Sequence, residues 1–170
     1  MSFHINTKEE FEQFICAHWN EVNSYIDQEL KDLPVPFYSS VDIRESKTKY
    51  APVDLNFYPA GFNNLCQLDL DASLAHFEKA ISLQAQNTST IGIIVESHTK
   101  NLFYLDHLAY LKKTLETADY SVFLCSFDST LFQDNSDQDE VTLTSQSKFE
   151  LSIHKIKISD NSLYVQNHII

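Results

Sequence analysis

Glycine is almost absent from this chain, with 2 in 170 residues. Loops that wrap nucleotide phosphates need backbone amides brought close to the ligand and residues at positive φ, and glycine is the residue that meets both demands. Gly61 and Gly92 lie in neither a GxGxxG nor a GxxxxGK(S/T) pattern, so no phosphate loop of either kind is expected. An ATP site built wholly within this chain is therefore not expected. Positive charge is also scarce, with 12 Lys and Arg against 24 Asp and Glu and a net charge of −12. Such a chain repels phosphate backbones and anionic membrane surfaces, which argues against a nucleic-acid partner. No apolar run is long enough to cross a bilayer, and the opening Met1-Ser2-Phe3-His4 has neither the basic nor the apolar part of a secretory leader. Cys16, Cys66 and Cys125 are odd in number, widely spaced and without a CxxC pair, which fits reduced thiols in a cytoplasmic protein. His4, His18, His76, His107, His154 and His168 show no HxxxH or HxH spacing, so they read as surface or satisfied interior residues and no metal site is expected. No serine lies in a GxSxG elbow, and Cys66 reads as a small buried side chain rather than a catalytic thiol.

What is present is enough for one core. With 43% hydrophobic residues, the chain is long enough to bury one and too short for two full-sized domains with a linker. A single α/β domain over 1–170 is expected, with a small parallel-containing sheet, flanking helices and a C-terminal antiparallel hairpin. Thr7-Lys8-Glu9-Glu10 has capping-box spacing, and Phe11, Phe14, Ile15, Trp19, Val22 and Ile26 recur at helical spacing behind it. One helix over about 8–30 is predicted, its aromatic stripe facing a core and its end set by Pro34 and Pro36. A second helix is predicted over about 71–86, with Asp69 and Asp71 near its N-terminus. Next, Ile91 to Val95, a leucine pattern from Leu105 to Leu115, and Ser121 to Cys125 form a strand–helix–strand unit of the parallel type. Ligands gather beyond the carboxyl ends of such strands, here Glu96 to Thr99 and Ser126 to Asp128.

Between Asp128 and Glu140 lie five acidic residues and no basic ones, which reads as an exposed loop without chemistry. Val141 to Thr144 and the alternating Phe149, Leu151 and Ile153 predict a hairpin, after which the alternation slips to Ile156 and Ile158 as a bulge would cause. The apolar end at Ile169-Ile170 fits either a strand that continues or one that closes a sheet.

Residues 41–64 fit no amphipathic helix and no clean hairpin. They hold Arg44, Lys47 and Lys49, three of the 12 basic residues, beside Asp42, Asp54, Asn56, Asn63 and Asn64. Fixed cations beside carboxylates and amides match an α-amino acid, with a cation for its carboxylate and an aspartate for its ammonium. The plainer alternative is an irregular connection whose charges are solvated and whose Asn and Pro serve turns. Glu96 and His98 leave a strand just before a helix, where a carboxylate and an imidazole can bind substrate or transfer a proton. Here the plainer alternative is that Ser97 or Thr99 caps the helix and the two merely flank it.

The run APVDLNFYPAGFNN at 51–64, preceded by Val41-Asp42-Ile43-Arg44, resembles the N-terminal signature of proteobacterial-type glutamate–cysteine ligases of glutathione biosynthesis. A second run, Ile94 to Leu105, is similar to the strand-to-helix segment of that family at the corresponding distance downstream. The likeness covers most of the chain, weakens after about Ser126, and departs from the family pattern between Glu45 and Tyr50. It implies ATP- and Mg²⁺-dependent joining of the γ-carboxylate of L-glutamate to the amine of L-cysteine. Members of the family are much longer than this chain, which implies a pre-ATP-grasp-like portion, inactive alone, whose ATP and Mg²⁺ site lies in a separate chain or a downstream segment. On the same resemblance Arg44 and Lys49 are carboxylate partners, Asp54 an ammonium partner, and Asn56, Asn63 and Asn64 orienting amides, with Asp42, Glu96 and His98 also among the substrate-binding residues. A non-enzymatic amino-acid-binding or interaction module on the same scaffold is the alternative.

Overall fold

The structure, a computed structural model, describes residues 4–33, 36–57, 60–97, 99–132 and 138–170. The chain divides into two compact units, 1–59 and 60–170, where the sequence leads one to expect a single domain.

In the first unit the capping box forms as its spacing predicts. Thr7 Oγ1 accepts the Glu10 N–H at 3.1 Å, and the Glu10 carboxylate accepts the Thr7 N–H at 3.3 Å. The single helix expected over 8–30 is two, α1 (Lys8–Ala17) and α2 (Trp19–Leu30), parted at His18 with φ −116° and ψ 29°. Neither Pro nor Gly marks that break; the Phe14 ring lies 4.6 Å from the His18 ring across it. The aromatic stripe is not core. Neither helix buries a residue, and Trp19 is 59% exposed. Two short helices and one hairpin offer too little facing surface to enclose aromatic side chains.

That hairpin joins β1 (Ser40–Glu45) to β2 (Tyr50–Asn56) in antiparallel pairing. Its turn is held by Ser46, whose Oγ accepts the N–H groups of Thr48 and Lys49 and whose N–H donates to the Lys49 carbonyl at 2.9 Å. The pairing shifts between Asp42 and Ile43, and the shift leaves Val53 as the extra residue beside Pro52. Proline cannot donate to a ladder and is tolerated at such irregularities, so a bulged hairpin stands where the alternation suggested none. Side chains of α1 reach the turn end of the hairpin: Lys8 pairs with Glu45 and lies over the Tyr50 ring, and Tyr50 Oη donates to Glu12.

The second unit opens with a 3-10 turn at Phe62–Asn64 and continues into α3 (Gln67–Gln84). That start is earlier than predicted, so Cys66 occupies the N-cap position and is exposed, its Sγ donating to Asp69 Oδ2 at 3.2 Å, rather than buried as expected. The predicted strand–helix–strand unit forms as β3 (Thr90–Ile94), α4 (Leu102–Glu116) and β4 (Ser121–Ser126), with β3 and β4 parallel. β5 (Glu140–Thr144), β6 (Glu150–Ser159), β7 (Ser162–Val165) and β8 (His168–Ile169) complete a mixed sheet in the order β3-β4-β6-β7-β8, with β5 also paired to β6. β6 runs parallel to β4 and antiparallel to β5 and β7.

One face of this sheet packs on α4, where Leu105, Leu108 and Ala109 meet Val95, Leu124, Leu151, Ile153 and Phe132. A second cluster of Cys125, Ile156 and Val165, with Phe123, Leu163 and Ile170 against it, forms where the C-terminal strands curl back. The slip in the β6 alternation is therefore no bulge, and its pairings are regular. Leu151 and Ile153 serve the α4 core while Ile156 serves the second cluster. The acidic stretch also departs from expectation, because its first part, Ser129–Phe132, is a 3-10 turn that buries Phe132 in the α4 core; residues 133–137 lie outside the described residues.

Two features of this unit can be tested by substitution. A Cβ on Gly92 would stand 2.5 Å from Ile170 Cδ1, 3.1 Å from Ile170 Cβ and 3.3 Å from Cys125 Sγ. Gly92→Ala is expected to lower stability by about 1–3 kcal/mol in a urea titration, the ordinary cost of overpacking; an unmoved midpoint would show that Ile170 yields freely. Asp106 on α4 is 4% exposed and accepts the Ser147 N–H at 3.0 Å and the Ser147 hydroxyl at 3.1 Å. Burial alone would push its carboxyl up, but hydrogen bonds from Ser145 and Ser147 outweigh that and hold it below the usual carboxylate range. Asp106→Asn is expected to cost about 1.5–3 kcal/mol, as for a hydrogen bond to a charged group, in the same titration.

Candidate functional site

The β1–β2 register sorts the polar residues of 41–56 onto one face. Asp42 pairs with Asp54, Ser40 with Asn56 and Arg44 with Ala51, so Asp42, Arg44, Asp54 and Asn56 share a side of the hairpin by strand alternation. Val41 and Leu55 pair on the opposite side, where Ile43 follows. Two carboxylates directly opposite each other repel at about 4.5–5.5 Å between Cβ atoms, a cost that a cation placed between them relieves. Arg44, next on the same face of β1, faces the small Ala51, which leaves its guanidinium sterically open. Lys49 closes the turn at the end of this face. The side chains of Asp42, Arg44, Lys49 and Asp54 are exposed and make no ion pair or hydrogen bond with other described residues. A face carrying paired carboxylates beside a guanidinium offers both charges that a zwitterionic amino acid needs.

The remaining candidates lie in the second unit. Gly61, at φ +113°, turns the chain into Phe62–Asn64, a backbone that side chains rarely adopt. Asn64 N–H donates to the Gly61 carbonyl at 2.8 Å, and Asn63 Nδ2 donates to Asn64 Oδ1 at 3.4 Å. Glu96 stands exposed just past β3, its N–H donating to Tyr104 Oη at 2.9 Å. His98 lies outside the described residues. Helix α4 is capped by neither Ser97 nor Thr99 but by Asn101, whose Oδ1 accepts the N–H groups of Phe103 and Tyr104 at 3.0 and 3.4 Å. Beyond β4, Ser126 Oγ accepts the Asp128 N–H at 3.0 Å. Hydrogen bonds from the Thr130 hydroxyl and N–H hold the Asp128 carboxyl below the usual range.

Two α4 residues that were not singled out from the sequence tie these segments down. His107 is 3% exposed, and its Nδ1 accepts the Phe62 N–H at 3.3 Å. Because a backbone N–H can only donate, Nδ1 is unprotonated and the ring proton sits on Nε2. Burial pushes the imidazole down to about 4. Tyr104, one turn earlier, holds the Glu96 N–H, and burial pushes its phenol up, so it stays protonated. From the sequence His107 reads only as a surface or satisfied interior residue, and Tyr104 only as part of the run from Ile94 to Leu105. Cys125, by contrast, is fully enclosed, and burial pushes its thiol up to about 12, which leaves it inert.

The chain is similar to known proteins over most of its length. A family model described as glutamate-cysteine ligase matches residues 12–169. A crystal structure from Methylobacillus flagellatus KT, provisionally assigned as a gamma-glutamylcysteine synthetase, superposes with a TM-score of 0.80 at 24% identity. The match covers 94% of this chain and 36% of that one, so the chain spans about a third of that protein's length. No curated protein sequence matches.

The buried neutral His107 makes stability depend on pH. Its folded value lies below the ordinary 6.5, so as pH falls the unfolded chain takes up the proton before the folded one does. Its contribution to stability is complete above about pH 6.5 and is lost progressively down to about pH 4. Urea midpoints recorded across that window are expected to fall more steeply for the parent protein than for His107→Asn, which carries no titrating ring. Equal slopes would show that the imidazole is not held neutral.

Proposed function

Because the chain belongs to the glutamate-cysteine ligase family, we propose that it forms the amino-acid side of such an enzyme and does not ligate alone. The observation that carries this reading is the charged face of the β1–β2 hairpin. There Arg44, with Lys49 at the turn, takes the α-carboxylate of L-glutamate, and Asp42 and Asp54 take its ammonium. Asn56 on the same face orients the bound amino acid. In the second unit Asn63, Asn64, Glu96 and His98 are assigned to substrate binding as well, the amides orienting and the Glu96 carboxylate and His98 imidazole contacting an amine or holding its proton.

Glutamate–cysteine ligases generally use ATP and a metal ion. In such an enzyme ATP would supply the phosphoryl group that activates the γ-carboxylate towards the cysteine amine. The described residues of this chain do not fit the nucleotide. Gly92 is covered by Ile170, and Gly61 opens a turn of only three residues rather than a helix. Among the described residues no group of three or more His, Cys, Asp or Glu is placed to hold a metal ion. No phosphoryl step is therefore assigned to this chain, and the ATP and Mg²⁺ site is assigned to a separate chain or a further segment. No helix among the described residues is long and apolar enough to cross a membrane. A cytoplasmic location, with L-glutamate and L-cysteine as ligands and no nucleic acid, completes the reading.

A second reading has its own support. Val41, Ile43 and Leu55 on the other hairpin face are 47%, 60% and 58% exposed, which suits a module that binds a protein partner without turnover.

Isothermal titration of the purified chain with L-glutamate, L-cysteine and Mg·ATP, each alone, separates the two. Binding of L-glutamate without ATP is expected, and Arg44→Ala is expected to weaken it by about 1.5–3 kcal/mol, the worth of a hydrogen bond to a charged group. Silence towards both amino acids would favour the interaction module, and an unchanged titration for the variant would remove the assigned role of Arg44.

A further inference from the structure

We propose that His107 and Tyr104 are positioning residues that fix two candidate substrate-binding segments, one at Phe62-Asn63-Asn64 and one at Glu96, to a single face of α4. This inference rests on the amino-acid-binding reading above and assigns neither residue a contact with substrate. The two side chains are three residues apart, so they share a helix face, and their rings lie 5.7 Å from each other. Each satisfies a backbone donor that its own element leaves over. The N–H groups at the start of a helical turn have no partner within it, and Phe62 N–H, the first of the 3-10 turn, is taken by His107 Nδ1. Beyond the last residue of β3, the N–H of Val95 reaches the Cys125 carbonyl at 2.8 Å, and the next donor, Glu96 N–H, is taken by Tyr104 Oη. A backbone N–H without an acceptor costs free energy away from water, so each bond selects one placement of its segment.

Ring packing adds to the hold at the first segment. Phe62 stacks on Phe77 of α3 at 5.7 Å and 27°, and lies 5.7 Å from His107. Asn63 and Asn64 follow directly on the anchored residue, so the bond at Phe62 places the backbone that carries their amides. The backbone of Glu96 is placed by the bond at its own N–H. Through one helix, Phe62–Asn64 and Glu96 are both tied down within the second unit, although 31 residues of chain, 65–95, lie between them.

The test uses the full chain and three variants. His107→Leu keeps an apolar body of similar size and removes the acceptor; His107→Asn restores an acceptor oxygen at the Nδ1 position; Tyr104→Phe removes only the hydroxyl. Amide hydrogen exchange at Phe62 and Glu96 is followed by NMR, with the urea midpoint as the control for global stability and L-glutamate titration as the functional readout. In His107→Leu, exchange at Phe62 is expected to rise roughly tenfold beyond the global change, the worth of one hydrogen bond, while Glu96 is unmoved. In Tyr104→Phe the pattern reverses. His107→Asn is expected to recover Phe62 protection and, with it, the L-glutamate affinity that His107→Leu lowers. Unaltered protection at Phe62 in His107→Leu, or failure of His107→Asn to recover it, overturns the proposal; should His107→Leu not fold, His107→Asn and Tyr104→Phe decide it at the two amides. If the parent chain binds no L-glutamate, the functional reading fails while the exchange data still decide whether the two segments are anchored.

Discussion

Helix α4 is buried nearly all round, and the second unit is arranged around that fact. Eight of its residues are enclosed, among them Asp106, His107 and Thr114 as well as the leucines. An enclosed polar group must find a partner or destabilise the fold, and two of the three reach beyond the helix for theirs. Asp106 fixes the turn between β5 and β6, His107 fixes the 3-10 turn at Phe62, and the Thr114 hydroxyl turns back to the Tyr110 carbonyl at 2.9 Å. The leucines bind the helix to the sheet without direction. The hydrogen bonds give it one rotation and one register, which is why segments distant in sequence meet there.

The first unit is organised by a different constraint. It has helices and a hairpin but no enclosed side chain among its described residues, so it lacks the non-directional term that holds the second unit together. What it has instead is local: a capping box, a serine-held turn, a Lys8–Glu45 pair and a cross-strand register. Exposed pairs of this kind contribute little to stability. Their consequence is arrangement, with like-charged Asp42 and Asp54 kept face to face beside Arg44. Such an arrangement is poor for stability and suited to a ligand that brings an ammonium and a carboxylate.

The chain belongs to the glutamate-cysteine ligase family and shares the fold of a solved relative over 94% of its own length. The chain accounts for 36% of the solved relative's length. Glycine-rich backbone is the usual cradle for a triphosphate, and this sequence has 2 glycines in 170 residues.

The sequence by itself determined the elements whose signals are local. Thr7 and Glu10 specify a helix start, continuous apolar runs around one leucine-patterned helix specify the parallel β3–α4–β4 unit, and alternation specifies the β5–β6 hairpin. The two motifs at 51–64 and 94–105 were enough to point to the family. Only the tertiary structure decided the break at His18, the exposure of Trp19, the bulged pairing beside Pro52 and the two-sided role of β6. It also decided that Tyr104 and His107 are anchors. Propensity and periodicity state which residues favour burial and which backbone they prefer. Whether a surface exists to bury them, and which distant donor an enclosed acceptor meets, depends on residues brought close only once the sheet has formed on α4.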